Sequence, residues 1–331
     1  MSQQYDFVAI GDIVVDAFIE LNQDKADVAI DFDTGRQTLQ MPFGSKLPYD
    51  DVTVVSAVGN SPNASVSAHR LGLQSALVTN LGHDRSGSDC LEALRAEGVH
   101  TDYVRVHEEK ATNYHYVLRY GPERTILIKH ETYPYLLPDF DVPPRFIYFS
   151  SVGEHALPFH QEIAEYVKQH PETKLVFQPG TFQIKLGHEA LKDVYEATEI
   201  FFCNKQEAQS ILETTEQDVP TLIREFKKLG PTLPVITDGP HGAFVVDTED
   251  QAWHMPMYPD PAPPTIPLAQ CPPAQIPASP APLGAESPPP APAFADTSYP
   301  PRLGCPMACQ GPAVPRHPTT PASAAAASPA K

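Results

Sequence analysis

The sequence predicts an α/β fold in which a mainly parallel sheet is covered by helices on both faces. Three observations carry that reading. Short apolar, β-branched runs recur along the first 264 residues, helical segments separate several of them, and turns rich in glycine or asparagine follow the runs.

In chain order, Phe7-Val8-Ala9-Ile10 reads as a strand ending at Gly11-Asp12. Val52-Thr53-Val54-Val55 is a second β-branched run. Ser61 to Leu71 reads as a helix stopped by Gly72, and Ala76-Leu77-Val78-Thr79 as the next strand. Gly87 to Ala96 follows as a helix, with Leu91 and Leu94 on one face and Gly98 as its stop. Phe146 to Phe149, Lys174 to Phe177 and Glu199 to Phe202 continue the strand series. Helices near 157–169, 205–213 and 218–229 separate them. Ala243 to Val246 and Gln251 to His254 flank Asp247-Thr248-Glu249-Asp250 as a hairpin.

Residues 13–40 and 101–130 break this rhythm. Segments such as Val28-Ala29-Ile30-Asp31-Phe32 and Tyr114-His115-Tyr116-Val117-Leu118 lack intervening helices. Paired antiparallel strands there would form a small second sheet. It is either a pair of surface hairpins or a lid over the sheet's ligand edge, where ligands of open α/β sheets bind.

Composition divides the chain. Residues 265–331 hold 18 of the 38 prolines and only two acids, Glu286 and Asp296. The first 264 residues therefore carry 39 of the 41 acids and a net charge near −19. That balance argues against a nucleic-acid surface, which needs clustered positive charge. A local anion site is still allowed, because backbone N–H groups bind phosphate without net positive charge. The expected units are thus 1–264, a folded domain, and 265–331, a Pro/Ala-rich, disordered tail.

No apolar run is long enough to span a bilayer, and Met1 to Asp6 lacks the pattern of a signal peptide. A cytoplasmic protein is expected. Cys90 and Cys203 lie in apolar contexts as reduced core thiols, and Cys271, Cys305, Cys309 and His317 match no common zinc spacing.

Several turns offer chemistry. Asp12 and Asp16, after the first strand, supply carboxylates that would accept hydrogen bonds from sugar hydroxyls; either also suits a solvated turn. Gly59-Asn60-Ser61-Pro62-Asn63-Ala64 joins a strand to a helix, with Gly59 permitting a tight turn and Asn63 offering donor and acceptor. The same residues suit a plain helix start capped by Ser61 or Asn60. In Gly82-His83-Asp84, the aspartate reads as an N-cap. Asn204 and Glu207 lie one helical turn apart after a strand. They would contact phosphate and hold Mg²⁺ through water, or simply form a capping box. Thr237-Asp238-Gly239-Pro240-His241-Gly242 would line a phosphate-binding turn or merely open a hairpin.

The order and spacing of these motifs resemble the ribokinase-like (phosphofructokinase-B) sugar kinase family over residues 5–264. The resemblance implies a three-layer α/β/α domain with a β-sheet lid. It also implies ATP-dependent phosphorylation of a sugar or nucleoside hydroxyl, and a homodimer through the lid. By resemblance, Asp16, Gly59 and Asn63 contact the sugar, with Asp12 and Asn60 in the same two turns. Asn204, Thr237, Gly239 and Gly242 would serve ATP, and Glu207 would hold Mg²⁺ through water.

The chain departs from the family at three points. Val58 stands where the family often has the first of two glycines, and Val14 where ribokinases proper have asparagine. Downstream, the family's Thr-Gly-Ala-Gly-Asp, whose aspartate is the general base, is expected soon after Pro259 to Pro264. No Gly-Ala-Gly-Asp occurs anywhere in the chain, so no catalytic base is identified. A shifted reading frame near codon 264 accounts for the proline- and alanine-rich sequence that follows; a genuine linker is the alternative. The expected function is that of a carbohydrate kinase with impaired transfer. The alternatives are a non-catalytic sugar-binding or regulatory protein and an interaction protein acting through its tail.

Overall fold

The computed structural model describes residues 4–32, 35–257 and 281–282. The chain divides into Met1–Ala285 and Glu286–Lys331, and every described residue belongs to the first unit.

Seven strands make the parallel part of a ten-stranded sheet: β1 (Phe7–Ile10), β6 (Ser75–Gly82), β7 (Val104–His107), β10 (Phe146–Phe149), β11 (Lys174–Phe177), β12 (Thr198–Asn204) and β13 (Leu233–Thr237). Their spatial order from one edge is β7, β6, β1, β10, β11, β12, β13. The antiparallel strands β14 (Ala243–Val246) and β15 (Ala252–Met255) extend the far edge. The β14–β15 turn forms around Asp247, which accepts from the amides of Glu249 and Gln251 and from the Trp253 indole.

The described helices are α1 (Asn60–Arg70), α2 (Arg85–Ala96), α3 (Leu157–Gln169), α4 (Thr181–Leu186), α5 (Lys192–Ala197), α6 (Lys205–Ile211) and α7 (Val219–Lys228). Alternation along each strand splits the core in two, because successive strand side chains point to opposite faces. Val8, Ile10, Ile147, Phe149, Leu175 and Phe177 pack with residues of α3, α5, α6 and α7. Ala9, Tyr148 and Val176 pack on the other face with Cys90 and Leu94 of α2. This is the three-layer α/β/α arrangement. Phe201 and Phe226 stack at 4.8 Å in the larger cluster.

A second sheet contains β5 (Tyr49–Val58), β2 (Val14–Leu21), β8 (Tyr114–Tyr120) and β9 (Glu123–Leu127), in that order. It is the expected small sheet, with four corrections. The Val52–Val55 run belongs to it through β5, which pairs with β2, not to the strand series of the body. It is not wholly antiparallel, since β2 and β8 run parallel. Within 101–130, β7 pairs with β6 and so joins the large sheet. Within 13–40, β3 (Asp27–Ile30) and β4 (Gln37–Gln40) form a separate hairpin.

The expected tail, 265–331, lies outside the described residues except at β16 (Ala281–Pro282). These two residues pair antiparallel with β15. An edge strand offers unpaired backbone groups to any segment that reaches it, and proline is tolerated at such an edge. The stretch in which Gly-Ala-Gly-Asp is expected also lies outside the described residues.

Candidate functional site

The candidate residues meet the C-terminal edge of the parallel strands in two groups. The first surrounds the end of β1. Asp12 follows that strand and is buried. Its amide donates to the Ser151 carbonyl at 2.8 Å. Its carboxylate accepts from the Tyr135 hydroxyl at 2.9 and 3.1 Å. Burial, and then the Asp12 charge beside it, push the Tyr135 phenol far up, so it remains a donor. The same hydroxyl accepts from the Gly153 amide at 2.8 Å.

Gly59 ends the approach to α1 with φ at 124°. A Cβ placed there would lie 2.9 Å from the Asp12 carbonyl oxygen. The glycine therefore lets the α1 turn reach the Asp12 backbone. Gly59 is itself the N-cap, without a side-chain cap bond, so neither Asn60 nor Ser61 caps this helix. Ser61 is buried and shares a 2.6 Å hydrogen bond with Ser150. Asn60 and Asn63 are exposed on the first turn. Their side chains hold no hydrogen bond among the described residues, which leaves both amides available to a ligand.

Asp16 lies on β2 of the small sheet, in register with His115 of β8. Its Oδ1 faces His115 Nδ1 at 3.3 Å. The small sheet therefore brings a carboxylate toward the rim that holds Asp12, on the same side chain network: His130 Nδ1 lies 3.6 Å from Asp12 Oδ2, and the two histidines touch.

The second group lies farther along the same edge. Asn204 ends β12 and Thr237 ends β13, in register with each other. Asn204 and Glu207 form a reciprocal capping box, with Oδ1 accepting from the Glu207 amide at 2.8 Å and Glu207 Oε2 accepting from the Asn204 amide at 2.9 Å. Capping uses one oxygen of each side chain and leaves the Asn204 amide nitrogen and Glu207 Oε1 available. Thr237 leads into a 3₁₀ turn, Gly239–His241. Gly239 and Gly242 adopt φ of 50° and 85°, and a Cβ on Gly242 would overlap the Met255 carbonyl. β12 is three sheet positions from β1 and β13 four, so the two groups lie roughly 14–19 Å apart along the edge.

Sequence reasoning missed part of this constellation. His115, His130 and Tyr135 sit in segments read as strands or connections. Lys205 and Asp238 also belong to it: Lys205 Nζ lies 3.5 Å from Asp238 Oδ2, and His241 Nδ1 lies 3.2 Å from that oxygen. A carboxylate in a turn suited to phosphate would repel it, and Lys205 offsets that charge. Asp84 is the N-cap expected: its carboxylate accepts from the amides of Gly87 and Thr112 and from the Thr112 hydroxyl.

Comparison with known proteins gives a consistent picture. The sequence pattern described as "pfkB family carbohydrate kinase" matches residues 33–261. A ribokinase of Bacillus subtilis (strain 168) is 38% identical over 73 residues, which are 22% of this chain and 25% of that protein. The chain thus matches about a quarter of that relative's length. The structure of Arabidopsis thaliana ribokinase complexed with ribose and ATP superposes with a TM-score of 0.63 at 17% identity, covering 78% of this chain and 79% of that one. A nucleoside kinase of Methanocaldococcus jannaschii superposes with a TM-score of 0.58 at 14% identity, covering 77% of each chain. At these identities the superpositions establish the shared fold.

Proposed function

This chain belongs to the pfkB family of carbohydrate kinases, and from that premise we propose that it binds ATP and a sugar or nucleoside along the C-terminal edge of its sheet. The observation that carries the reading is the pairing of two ligand groups on one edge. Gly59 abuts Asp12 at the end of β1, and Asn204 stands beside Thr237 at the ends of β12 and β13. The complex of the Arabidopsis relative with ribose and ATP supports the choice of ligands.

In this reading Asp12 and Asp16 accept hydrogen bonds from adjacent hydroxyls of the acceptor, and Asn60 and Asn63 contact it from the start of α1. Asn204 and the turn from Thr237 to Gly242 receive the phosphates, with backbone amides as donors. Glu207 would hold Mg²⁺ through water. Its free Oε1 fits that role, since Mg²⁺ retains most of its waters and takes few carboxylates. The ion would supply neutralisation of phosphate charge. Transfer itself is expected to be weak, because the sequence holds no Gly-Ala-Gly-Asp to supply the base. Loss of a general base costs about 10²–10⁴-fold in rate.

The small sheet also offers a surface for a second copy. Val54, Ala17, Tyr116 and Leu127 form one row across its four strands. Val54, Tyr116 and Leu127 are each about half exposed. A homodimer through this face would cover them. Cys90 and Cys203, both buried and unpaired, suit a reducing, cytoplasmic setting. No described helix is long and apolar enough to cross a membrane.

The test uses the full 331-residue chain with ATP, Mg²⁺ and a panel of D-ribose, D-fructose and adenosine. Calorimetry should detect ATP and one acceptor, while a coupled assay should detect little or no turnover. Acceptor-dependent ATP consumption at the usual kinase rates of about 1–100 s⁻¹ would show that another residue supplies the base. Failure to bind any acceptor would favour a different role for the fold.

A further inference from the structure

The chain enters the small sheet after β1 and after β7, and leaves it after β5 and after β9. Three of these crossings meet at one side chain. Asn113, just before β8, is 1% exposed. Its Nδ2 donates to the Ile13 carbonyl, between β1 and β2, at 3.3 Å. Its Oδ1 accepts from the Glu131 amide, beyond β9, at 2.8 Å. The partners fix which way the side-chain amide faces, since a carbonyl only accepts and a backbone N–H only donates. The Asn113 carbonyl accepts from the Val15 amide at 3.0 Å, where the parallel register of β2 with β8 begins.

Glu131 begins a strap that is tied at every second residue. The Glu131 amide donates to Asn113, the Tyr133 hydroxyl to the Ala111 carbonyl, and the Tyr135 hydroxyl to Asp12. These bonds close a ring. It runs from Asp12 along the chain to Ile13, across Asn113 to Glu131, along the strap to Tyr135, and back to Asp12. Asp16 lies on the strand that Ile13 leads into.

Thr112, also buried, faces the other way. Its hydroxyl donates to Asp84 at 2.7 Å and accepts from the Gly82 amide at 3.1 Å. Its amide donates to Asp84 at 2.8 Å. Adjacent residues thus divide the junction. Thr112 anchors the chain to the end of β6 and the start of α2, while Asn113 ties together the crossings beside the acceptor carboxylates.

We propose that Asn113 is a positioning residue for acceptor binding: its amide closes the ring that holds Asp12, and so seats the small sheet, with Asp16, against the rim. It acts through those two carboxylates, and the proposal rests on the reading of Asp12 and Asp16 given above. Both ends of the amide are needed. A side chain with one polar group would leave the Ile13 carbonyl or the Glu131 amide without this bond, and buried backbone groups require partners. The effect falls on orientation, where a misplacement of about 1 Å can cost roughly 10²-fold.

The test compares Asn113→Ala with Thr112→Val in the full chain, by calorimetric titration with ATP and with D-ribose, D-fructose and adenosine. Thr112→Val removes the hydroxyl bonds at the same junction and is the structural control. Asn113→Ala should weaken acceptor binding about tenfold or more, while its ATP affinity stays within about twofold. Thr112→Val should leave both affinities within about twofold. Equal effects of the two variants on acceptor affinity would overturn the proposal, as would equal losses of ATP and acceptor in Asn113→Ala. If Asn113→Ala does not fold, hydrogen exchange of the unaltered chain decides. The Glu131 amide should exchange about a hundredfold slower than an unprotected amide, and bound acceptor should slow it about tenfold further. A Glu131 amide indifferent to acceptor would overturn the proposal. An unaltered chain that binds none of the three acceptors would sink the acceptor reading and the proposal with it. One that binds an acceptor as tightly as Asn113→Ala does would sink the proposal alone.

Discussion

Gly59 and Asp12 are locked backbone to backbone: any side chain at position 59 would press on the Asp12 carbonyl, at 2.9 Å from its Cβ. The turn that starts α1 and the turn that ends β1 are therefore one structural unit. Gly59→Ala should cost about 1–3 kcal/mol, since φ at 124° is also closed to alanine. It should weaken acceptor binding at least tenfold by displacing Asp12. Urea unfolding and calorimetric titration measure the two effects; an unchanged unfolding midpoint would show that the two turns are not coupled.

Glu207 has two separable duties. Glutamine at 207 keeps an oxygen to accept from the Asn204 amide, so Glu207→Gln should change stability by less than about 0.5 kcal/mol. Mg²⁺-dependent ATP affinity should nonetheless fall about tenfold. Asn204→Ala removes the cap itself and should cost about 1 kcal/mol. ATP titrations with and without Mg²⁺ decide the matter, and an affinity blind to Glu207→Gln would leave this residue a cap alone.

His160 of α3 should make the protein acid-sensitive. Burial drives its imidazole down to about 4, against a bond to the Ala156 carbonyl that raises it. An unfolded imidazole binds its proton near 6.5. The unfolded chain therefore holds more protons in between, and stability is lost as pH falls from about 6.5 to about 4. The loss should be on the order of 2–3 kcal/mol. His160→Gln should flatten that part of the stability curve, measured by denaturant midpoints across the range; an unaltered slope would assign the acid sensitivity elsewhere.

Asp84 works at lower pH. Burial raises its carboxyl, but bonds from the Thr112 hydroxyl and amide and from Gly87 outweigh this and hold it below the usual range. A depressed carboxylate stabilises the fold above its unfolded value, about 3.9, and that contribution disappears as pH falls through the folded value. Asp84→Ala should cost about 1–2 kcal/mol at neutral pH and less in strong acid. A cost that persists undiminished near pH 2 would mean that packing, not charge, holds this cap.

Much of the architecture was legible because it rests on local rules. The helix over 157–169 and the caps at Asp84 and Asn204 follow from spacing and capping chemistry alone. β5 was not legible as part of the small sheet. Val52 to Val55 reads as a core strand by composition, yet these residues are exposed, and only pairing with β2 places them. α4 and α5 are six residues each, too short to show a helical period. At the site, turn motifs pointed to Asp12, Gly59, Asn204 and Thr237. The His115–His130 contact left no such trace, because it depends on the register of the antiparallel β8–β9 pairing, which brings the chain just past Leu127 back beside His115.

The interior place of β1 bears on how the molecule is made. β1 has β10 on one side and β6 on the other, so it is an interior strand of its sheet. The β6 flank can form once residues up to 82 have been synthesised, but the β10 flank needs residues up to 149, and contacts of such long sequence separation close slowly. Newly made chain must therefore wait with one edge of β1 unpaired, the stage at which aggregation competes with folding. Once β10 arrives, later strands need only add outward, one beside the last, and what happens beyond β15 concerns a margin that the nucleus has already left behind.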